Sequence, residues 1–358
     1  MTRWLLVTGD LPPTFTGGVA SWVEDLGRAL VAGGDRVTVL GRAGPSAARA
    51  AEATWDRAQP FQVQRMWTRS WARWQPWWVD LHGAGLLADV DAVLFSTWPT
   101  AVRLAPRARD RGLAVGVAFH GSDLTRMSSP SPAFQAATAA ATALLPVSRF
   151  LAGELARLGA GPATVLPMPL PEAGGPHAPF EGRRGLLTVA RLTPLKGVDR
   201  AIRLARALGE ELFVIGEGPA LPALQAAAGA ETRFLGRLDR DATRGWYRRA
   251  RACLLLSRAD ADGSGAEGLG LTLLEAMAQG AVAVGSGAGG LPEAVGPGLV
   301  LSDASLDGAQ GPSPADRDHL RRLLDDPLAG AHSAAWVAAH HGPTLARDTL
   351  ITALRSAR

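Results

Sequence analysis

Two glutamates, Glu267 and Glu275, stand eight positions apart in Gly263–Ala283, GSGAEGLGLTLLEAMAQGAVA, and carry the clearest chemical signal in the chain. Gly268 and Gly270 predict a loop around Glu267. The apolar run after them predicts a short helix with Glu275 about one turn inside it, stopped by Gly280. Ala281–Val284 then reads as a buried strand. On this reading the two carboxylates do not share a helix face. Between them, through Gly268, Leu269, Gly270, Leu271 and Thr272, lies a helix start whose first N–H groups have no acceptor within the helix. Such an end attracts a phosphate, and the flanking carboxylates can accept hydrogen bonds from sugar hydroxyls. A nucleotide-sugar suits that combination. The same spacing also fits a glycine turn before an ordinary amphipathic helix with two surface glutamates.

A second pair of residues points the same way. Of 37 basic residues, 36 are Arg and one, Lys196, is Lys, while Asn is absent, a bias of the kind that coding base composition imposes. Against that drift a single lysine marks a place suited to a compact ammonium rather than a planar fork; chance survival is the alternative. Lys196 closes the stretch Arg191-Leu-Thr-Pro-Leu-Lys196-Gly197, between an expected strand Gly185–Ala190 and an expected helix Val198–Leu208. Two cations in a loop after a strand can neutralise charge developing on a leaving nucleotide.

The elements that must position these residues are alternating strands and helices. With 358 residues and 47% hydrophobic content, the chain can form two domains of α/β class with parallel sheets. Arg3–Thr8 reads as a first strand, followed by Gly17-Gly18, a helix with Val19, Trp22, Val23, Leu26 and Leu30 on its apolar face, the stop Gly33-Gly34, and the strand Arg36–Leu40. This unit has its glycines where open α/β sheets bind phosphates. It lacks G-x-G-x-x-G after the first strand, which makes a nicotinamide dehydrogenase the weaker explanation. Phe61–Met66, Ala92–Ser96, Ala114–Phe119, Ala143–Ser148 and Ala163–Leu166 are further expected strands, and the third of these ends in His120-Gly-Ser-Asp123. Five prolines (167, 169, 171, 176, 179) mark a linker. It divides the chain into a domain at 1–168, the linker 169–184 and a domain at 185–332. In the second domain, strands are expected at Leu212–Ile215, before Gly216, and at Arg233–Leu238, Ala252–Leu256 and Leu299–Leu301.

Glu267-Gly-Leu-Gly-Leu-Thr-Leu-Leu-Glu275-Ala resembles the signature of retaining GT-B glycosyltransferases of family 4. Gly17-Gly18, His120-Gly-Ser-Asp123, Arg191…Lys196 and Arg233-Phe-Leu-Gly236-Arg237-Leu238 resemble further stretches of that family, and those of the second domain come in its order. The resemblance implies two Rossmann-like domains facing across a cleft, with the C-terminal helical region 333–358 packing back on the first domain. It implies metal-independent transfer of a hexose from GDP-mannose or a UDP-hexose to a hydroxyl, with no cofactor. Arg191 and Lys196 would meet the diphosphate, Glu275 the ribose, and Glu267 and His120 the transferred sugar with its oxocarbenium-like charge. Gly17, Gly18 and Asp123 would face substrate from the first domain and Gly216 from the second, where Arg237 and Leu238 would border the nucleobase. Two departures stand out: Pro167-Met-Pro169 replaces a frequent asparagine–glycine pair, and the loop Arg258–Ala266 is longer than usual.

Other chemistries find less support. Cys253, the single cysteine, lies in an apolar run, which excludes a disulfide framework. Asp260-Ala-Asp262 has the spacing of a metal-binding D-x-D, but so do Asp89/Asp91, Asp239/Asp241 and Asp316/Asp318, and the seven histidines form no ligand cluster. The apolar part of the N-terminus is too short for a signal peptide, and no run reaches membrane-spanning length, so a cytoplasmic protein is expected. The net charge of +4 comes from residues 1–166, with 16 Arg against 12 acids; the remainder balances at 21 and 21. That excess suits an anionic partner and is too diffuse for nucleic acid. Trp67, Trp71, Trp74 and Trp78 fall on one helical stripe flanked by Arg65, Arg69 and Arg73, although Pro76 interrupts it. The stripe fits peripheral contact with the inner membrane face, core packing under the sheet, or an aromatic wall for a sugar or lipid-linked acceptor. An epimerase or hydrolase of the same fold and a non-catalytic nucleotide-sugar binding subunit remain the alternatives to a transferase.

Overall fold

The computed structural model describes residues 1–66, 82–171, 180–259, 266–308 and 312–356. Trp67–Trp78 and the Asp260/Asp262 pair lie outside those residues. The chain divides into two compact units, Met1–Pro171 with His341–Arg358, and Glu172–His340.

In the first unit, β1 (Arg3–Val7), β2 (Arg36–Arg42), β3 (Gln62–Met66), β4 (Ala92–Phe95), β5 (Ala114–Phe119) and β6 (Ala143–Pro146) form a parallel sheet in the order β3-β2-β1-β4-β5-β6. β4, β5 and β6 are buried at every position, as continuous apolar runs must be when both faces of a sheet are covered. One cover is the helix Gly18–Ala32, which buries Trp22, Val23, Leu26 and Leu30 as its 3.6-residue spacing predicts. The expected strand Ala163–Leu166 is not a full strand. Its chain runs beside β6, with one bridge from Leu144 to Ala163 and N–H bonds from Thr164 and Leu166 to Leu144 and Pro146. Pro162 and Pro167 bracket it, and neither can donate to a ladder.

The second unit repeats the plan. β7 (Leu186–Val189), β8 (Leu212–Ile215), β9 (Thr232–Gly236), β10 (Ala252–Leu255), β11 (Val282–Ser286) and β12 (Leu299–Leu301) form a parallel sheet in the order β12-β11-β10-β7-β8-β9. Leu186, Leu212, Val214, Leu254, Val282 and Val284 form its core with Ala201, Ile202 and Leu204 of the helix Val198–Leu208. In each sheet the winding reverses between two neighbouring strands, β1 and β4 in the first and β7 and β10 in the second. Loops leaving those strands diverge to opposite faces, which opens a crevice at their carboxyl ends.

The region 333–358 is not one element packing back on the first unit. The helix Ala329–His340 packs on the helix Leu271–Ala278 of the second unit, and Gly330 lies against Phe180 there. Only the helix Pro343–Ser356 packs against Gly18–Ala32, β5 and β6. Gly342, between the two helices, has φ +148°, and its N–H bonds to the Met168 carbonyl. Arg347 then ties the last helix to the first unit through the Gly33 carbonyl at 3.0 Å and Asp35 at 3.2 Å.

Candidate functional site

At the β7/β10 reversal, two loops are pressed together by glycines. The turn Pro194–Lys196 ends at Gly197, φ +62°, where an added Cβ would lie 1.9 Å from the Leu256 carbonyl oxygen. Only glycine satisfies both conditions. The close approach places the loop after β7 on the end of β10, and the Arg258 N–H donates to the Leu195 carbonyl at 2.7 Å. Lys196 Nζ thereby ion-pairs with Glu267 Oε1, to which the Ser257 hydroxyl also donates at 3.0 Å. Ser257 is held in turn by the Ser286 hydroxyl, which donates to its carbonyl at 2.5 Å. Arg191, on the same loop, is exposed, and its guanidinium has no hydrogen-bond or ion-pair partner among the described residues.

A charged network braces the base of the long loop. Arg258 pairs with Asp199 at 2.7 Å and Asp307 at 3.1 Å. Buried Arg200 reaches the carbonyls of Leu256 at 3.2 Å and Ser257 at 3.1 Å and pairs with Asp307. The hydrogen bond from Arg200 holds the Asp307 carboxyl down to about 2.

Beyond the loop, Gly270 adopts φ +102° and starts the helix Leu271–Ala278. Gly280 ends it at φ +80°, with Gly280 and Ala281 N–H groups returning to the Met277 and Ala276 carbonyls, a Schellman pairing. The glycine loop is fixed from outside by Gly289-Gly290. The Gly290 N–H donates to the Glu267 carbonyl at 2.8 Å, and a Cβ on Gly290 would lie 2.1 Å from the Gly268 oxygen. The Thr272 hydroxyl is buried at the helix start without a partner among the described residues. Glu275 accepts from the Tyr247 hydroxyl at 3.3 Å and lies 3.8 Å from Arg240. Burial pushes the Tyr247 hydroxyl well above its ordinary value, so Tyr247 is a donor there. Sequence reasoning passed over Tyr247 and Arg240. The available signal was compositional, since Tyr247 is the single tyrosine in the chain. At the sheet edge, Gly216 at φ +138° donates its N–H to the Gly236 carbonyl at 2.8 Å, setting the turn that opens Gly216 beside the start of Arg237-Leu238.

In the first unit, Gly17 at φ +143° opens the helix Gly18–Ala32; both glycines are exposed, and nothing lies within 4 Å of the space a Gly17 Cβ would fill. His120 ends β5 with its ring edge-on to Trp22, centroids 4.7 Å apart. Burial lowers the imidazole to about 4, so it is neutral near pH 7, and its Nε2 has no partner among the described residues. Asp123 turns one carboxylate oxygen back on its own turn, accepting from Gly121 N–H at 2.8 Å and His120 N–H at 3.2 Å. Its other oxygen is buried with no partner among the described residues, and burial raises its carboxyl. Asp123 therefore shapes the turn that carries His120. Each unit thus holds its own share of the expected residues: Gly17, Gly18, His120 and Asp123 in the first, the remainder in the second.

A family model for Glycosyltransferase Family 4 matches residues 16–171, and one for glycosyl transferases group 1 matches residues 174–328. A GDP-mannose-dependent alpha-(1-6)-phosphatidylinositol monomannoside mannosyltransferase of Mycobacterium tuberculosis is 27% identical over 95% of this chain and 94% of its own. A GDP-mannose-dependent monoacylated alpha-(1-6)-phosphatidylinositol monomannoside mannosyltransferase of Corynebacterium glutamicum is 31% identical over 42% of this chain, and the match spans 40% of the relative. Among solved structures, AviGT4, a glycosyltransferase involved in avilamycin A biosynthesis, superposes with a TM-score of 0.71 at 21% identity over 99% of this chain and 97% of that one. Anabaena HepE in complex with UDP-glucose gives 0.70 at 15% identity over 99% of this chain and 100% of that one. With the two family models matched across both units and GT-B structures sharing its fold end to end, the chain is a group 1 glycosyltransferase of GT-B fold.

Proposed function

We propose that this enzyme transfers a mannosyl group from GDP-mannose to a hydroxyl of a glycolipid acceptor, with retention of configuration and without a metal ion. The observation that carries the reading is the convergence at the β7/β10 reversal of Arg191, unpaired among the described residues, the Lys196–Glu267 pair and a helix start whose buried Thr272 hydroxyl has no partner among those residues. These are three devices for one diphosphate on one sheet edge. GDP-mannose is supported by the donors that name the mycobacterial and corynebacterial relatives. A UDP-hexose is the second reading, supported by the UDP-glucose complex of the similarly folded HepE.

Arg191, Lys196 and the N–H groups of Leu271 and Thr272 neutralise the departing diphosphate, the charge a metal would otherwise have to meet. Glu275 accepts from the ribose hydroxyls, and Gly216, Arg237 and Leu238 border the base. Glu267 orients the transferred sugar. His120 offers a neutral imidazole to a sugar hydroxyl and so adds no positive charge against the one developing at C1. The C1–O bond to phosphate breaks on the face where the new C1–O bond forms, and the acceptor proton passes to an oxygen of the leaving phosphate. No protein nucleophile is required. Gly17 and Gly18, with their open backbone, serve the acceptor side, which the first unit supplies while the second binds the donor. Peripheral membrane contact through Trp67–Trp78 would bring such an acceptor within reach. The test is thermal-shift screening against GDP-, UDP-, ADP- and dTDP-sugars, then product anomer determination by NMR in the presence of EDTA. Stabilisation by UDP-hexoses alone would replace the donor. Rapid nucleotide release without acceptor would make the enzyme a hydrolase or epimerase, and binding with no turnover under any acceptor would make it a binding subunit.

A further inference from the structure

Two arginines, Arg42 and Arg65, stand at the carboxyl ends of adjacent strands of the first sheet, and they differ in how their charge is met. Arg65 is enclosed and fully compensated: its guanidinium reaches Asp56 at 2.8–3.0 Å, Glu52 at 3.2 Å and the Pro12 carbonyl. Glu52 in turn accepts from the Thr14 hydroxyl at 2.6 Å and the Gly44 N–H at 2.8 Å. That network pins the loop after β1 to the ends of β2 and β3. The Arg42 guanidinium has no hydrogen bond or ion pair among the described residues, and its Nε is buried without an acceptor there. Its guanidinium carbon lies 3.7 Å from the ring centroid of Phe15, in the same loop and two residues before Gly17. A ring beneath a guanidinium engages its face and leaves the in-plane N–H donors for an anion.

We propose that Arg42, braced on Phe15, binds a phosphate ester of the acceptor. This rests on the transfer to a glycolipid proposed above. The sheet register places the site sensibly for that role. Leu40, Val7, Phe95 and Val117 are level across β2, β1, β4 and β5, so Arg42 is level with Phe119 and within one residue of His120 along the edge. The two strands are three spacings apart, roughly 14 Å. A phosphate held at Arg42 therefore leaves the rest of a polar headgroup lying along the sheet edge toward His120.

The experiment uses the full-length protein, GDP-mannose and two acceptors: a deacylated glycerophosphoinositol mannoside and the neutral methyl α-mannoside. Arg42→Gln should raise KM for the phosphate-bearing acceptor about tenfold to a hundredfold, the loss of one charge-assisted hydrogen-bonding group. KM for GDP-mannose and the slow rate on the neutral mannoside should stay unchanged. Arg42→Lys should recover part of the loss, and Phe15→Leu should show a smaller loss in the same direction. Equal losses on both acceptors, or an unchanged preference for phosphate, would overturn the assignment. If the wild type transfers to neither acceptor, the transfer reading fails by itself. Binding of glycerol 1-phosphate to wild type and Arg42→Gln by calorimetry then decides the site. Weakened binding in the variant supports it, and equal binding, or none in the wild type, overturns it.

Discussion

Lys196 and Glu267 form an ion pair across the β7/β10 reversal, so the lone lysine of the chain is held by the first of the two signature glutamates. Both side chains are part-exposed, at 32% and 15%, which keeps the pair's own contribution to stability small. Its consequence is geometric: each charge sets where the other stands. Lys196→Ala should therefore lower kcat by about a hundredfold to a thousandfold, the loss of one preorganised charge donor, and Lys196→Arg should rescue it poorly. Lys196→Ala/Glu267→Gln should cost less than the sum of the single changes, with a coupling of at least about 1 kcal/mol in a double-mutant cycle. Additive losses would show that the two act independently.

Glu275 and Tyr247 should behave as one binding unit. Contacts to ribose exist equally in ground and transition states, so Glu275→Ala should raise KM for the donor and leave kcat nearly unchanged. Tyr247→Phe should move KM in the same direction by a smaller factor. Inhibition by inorganic pyrophosphate, which has no ribose, should be unaffected in both variants. A fall in kcat comparable to that of Glu267→Gln would reject this division.

His120 carries a pH signature. Its folded value of about 4 lies below the ordinary 6.5, so the unfolded chain binds the extra proton between those limits. Stability is then full above about pH 6.5 and declines as pH falls toward 4, by an amount on the order of 2–3 kcal/mol. His120→Gln should flatten that part of a melting-temperature profile. In kinetics, the wild type should show no loss from His120 protonation between pH 5 and 7. An acid limb near 6.5 that disappears in His120→Gln would contradict a buried neutral imidazole.

Gly197→Ala tests the close approach that joins the loops after β7 and β10. The new Cβ would meet the Leu256 carbonyl at 1.9 Å from a left-handed backbone, so both strain and displacement follow. The backbone strain alone costs about 1–2 kcal/mol. Melting temperature should fall, and kcat should fall with it as Lys196 moves off Glu267. Gly209→Ala, at a similar φ of +74° but with open space around the new Cβ, should lose stability and keep its activity.

The single sequence decided the local events, because those follow from residue type and spacing over a few positions. Val198–Leu208 and Leu299–Leu301 form where periodicity and burial predict them, and Gly34, at φ +86°, and Gly280, at φ +80°, close their helices where the left-handed backbone favours glycine. Alternating α and β elements also announced two α/β domains with parallel sheets, and the glutamate signature, through its resemblance, announced the family and its Rossmann-like plan. Where two distant stretches met was not legible. Ala163–Leu166 looks like a strand by composition, yet flanking prolines leave it a single bridge beside β6. The region 333–358 reads as one helical tail, yet the positive φ of Gly342 splits it between two units. Lys196 and Glu267 are 71 residues apart, and nothing in either stretch specifies the other. The strand order β10-β7 brings them together, with Gly197 small enough for the loops to touch. The same holds for Tyr247 on Glu275 and Phe15 under Arg42. Side-chain partnership depends on which strands become neighbours, and strand order is set by the packing of whole sheets rather than by any local run of residues.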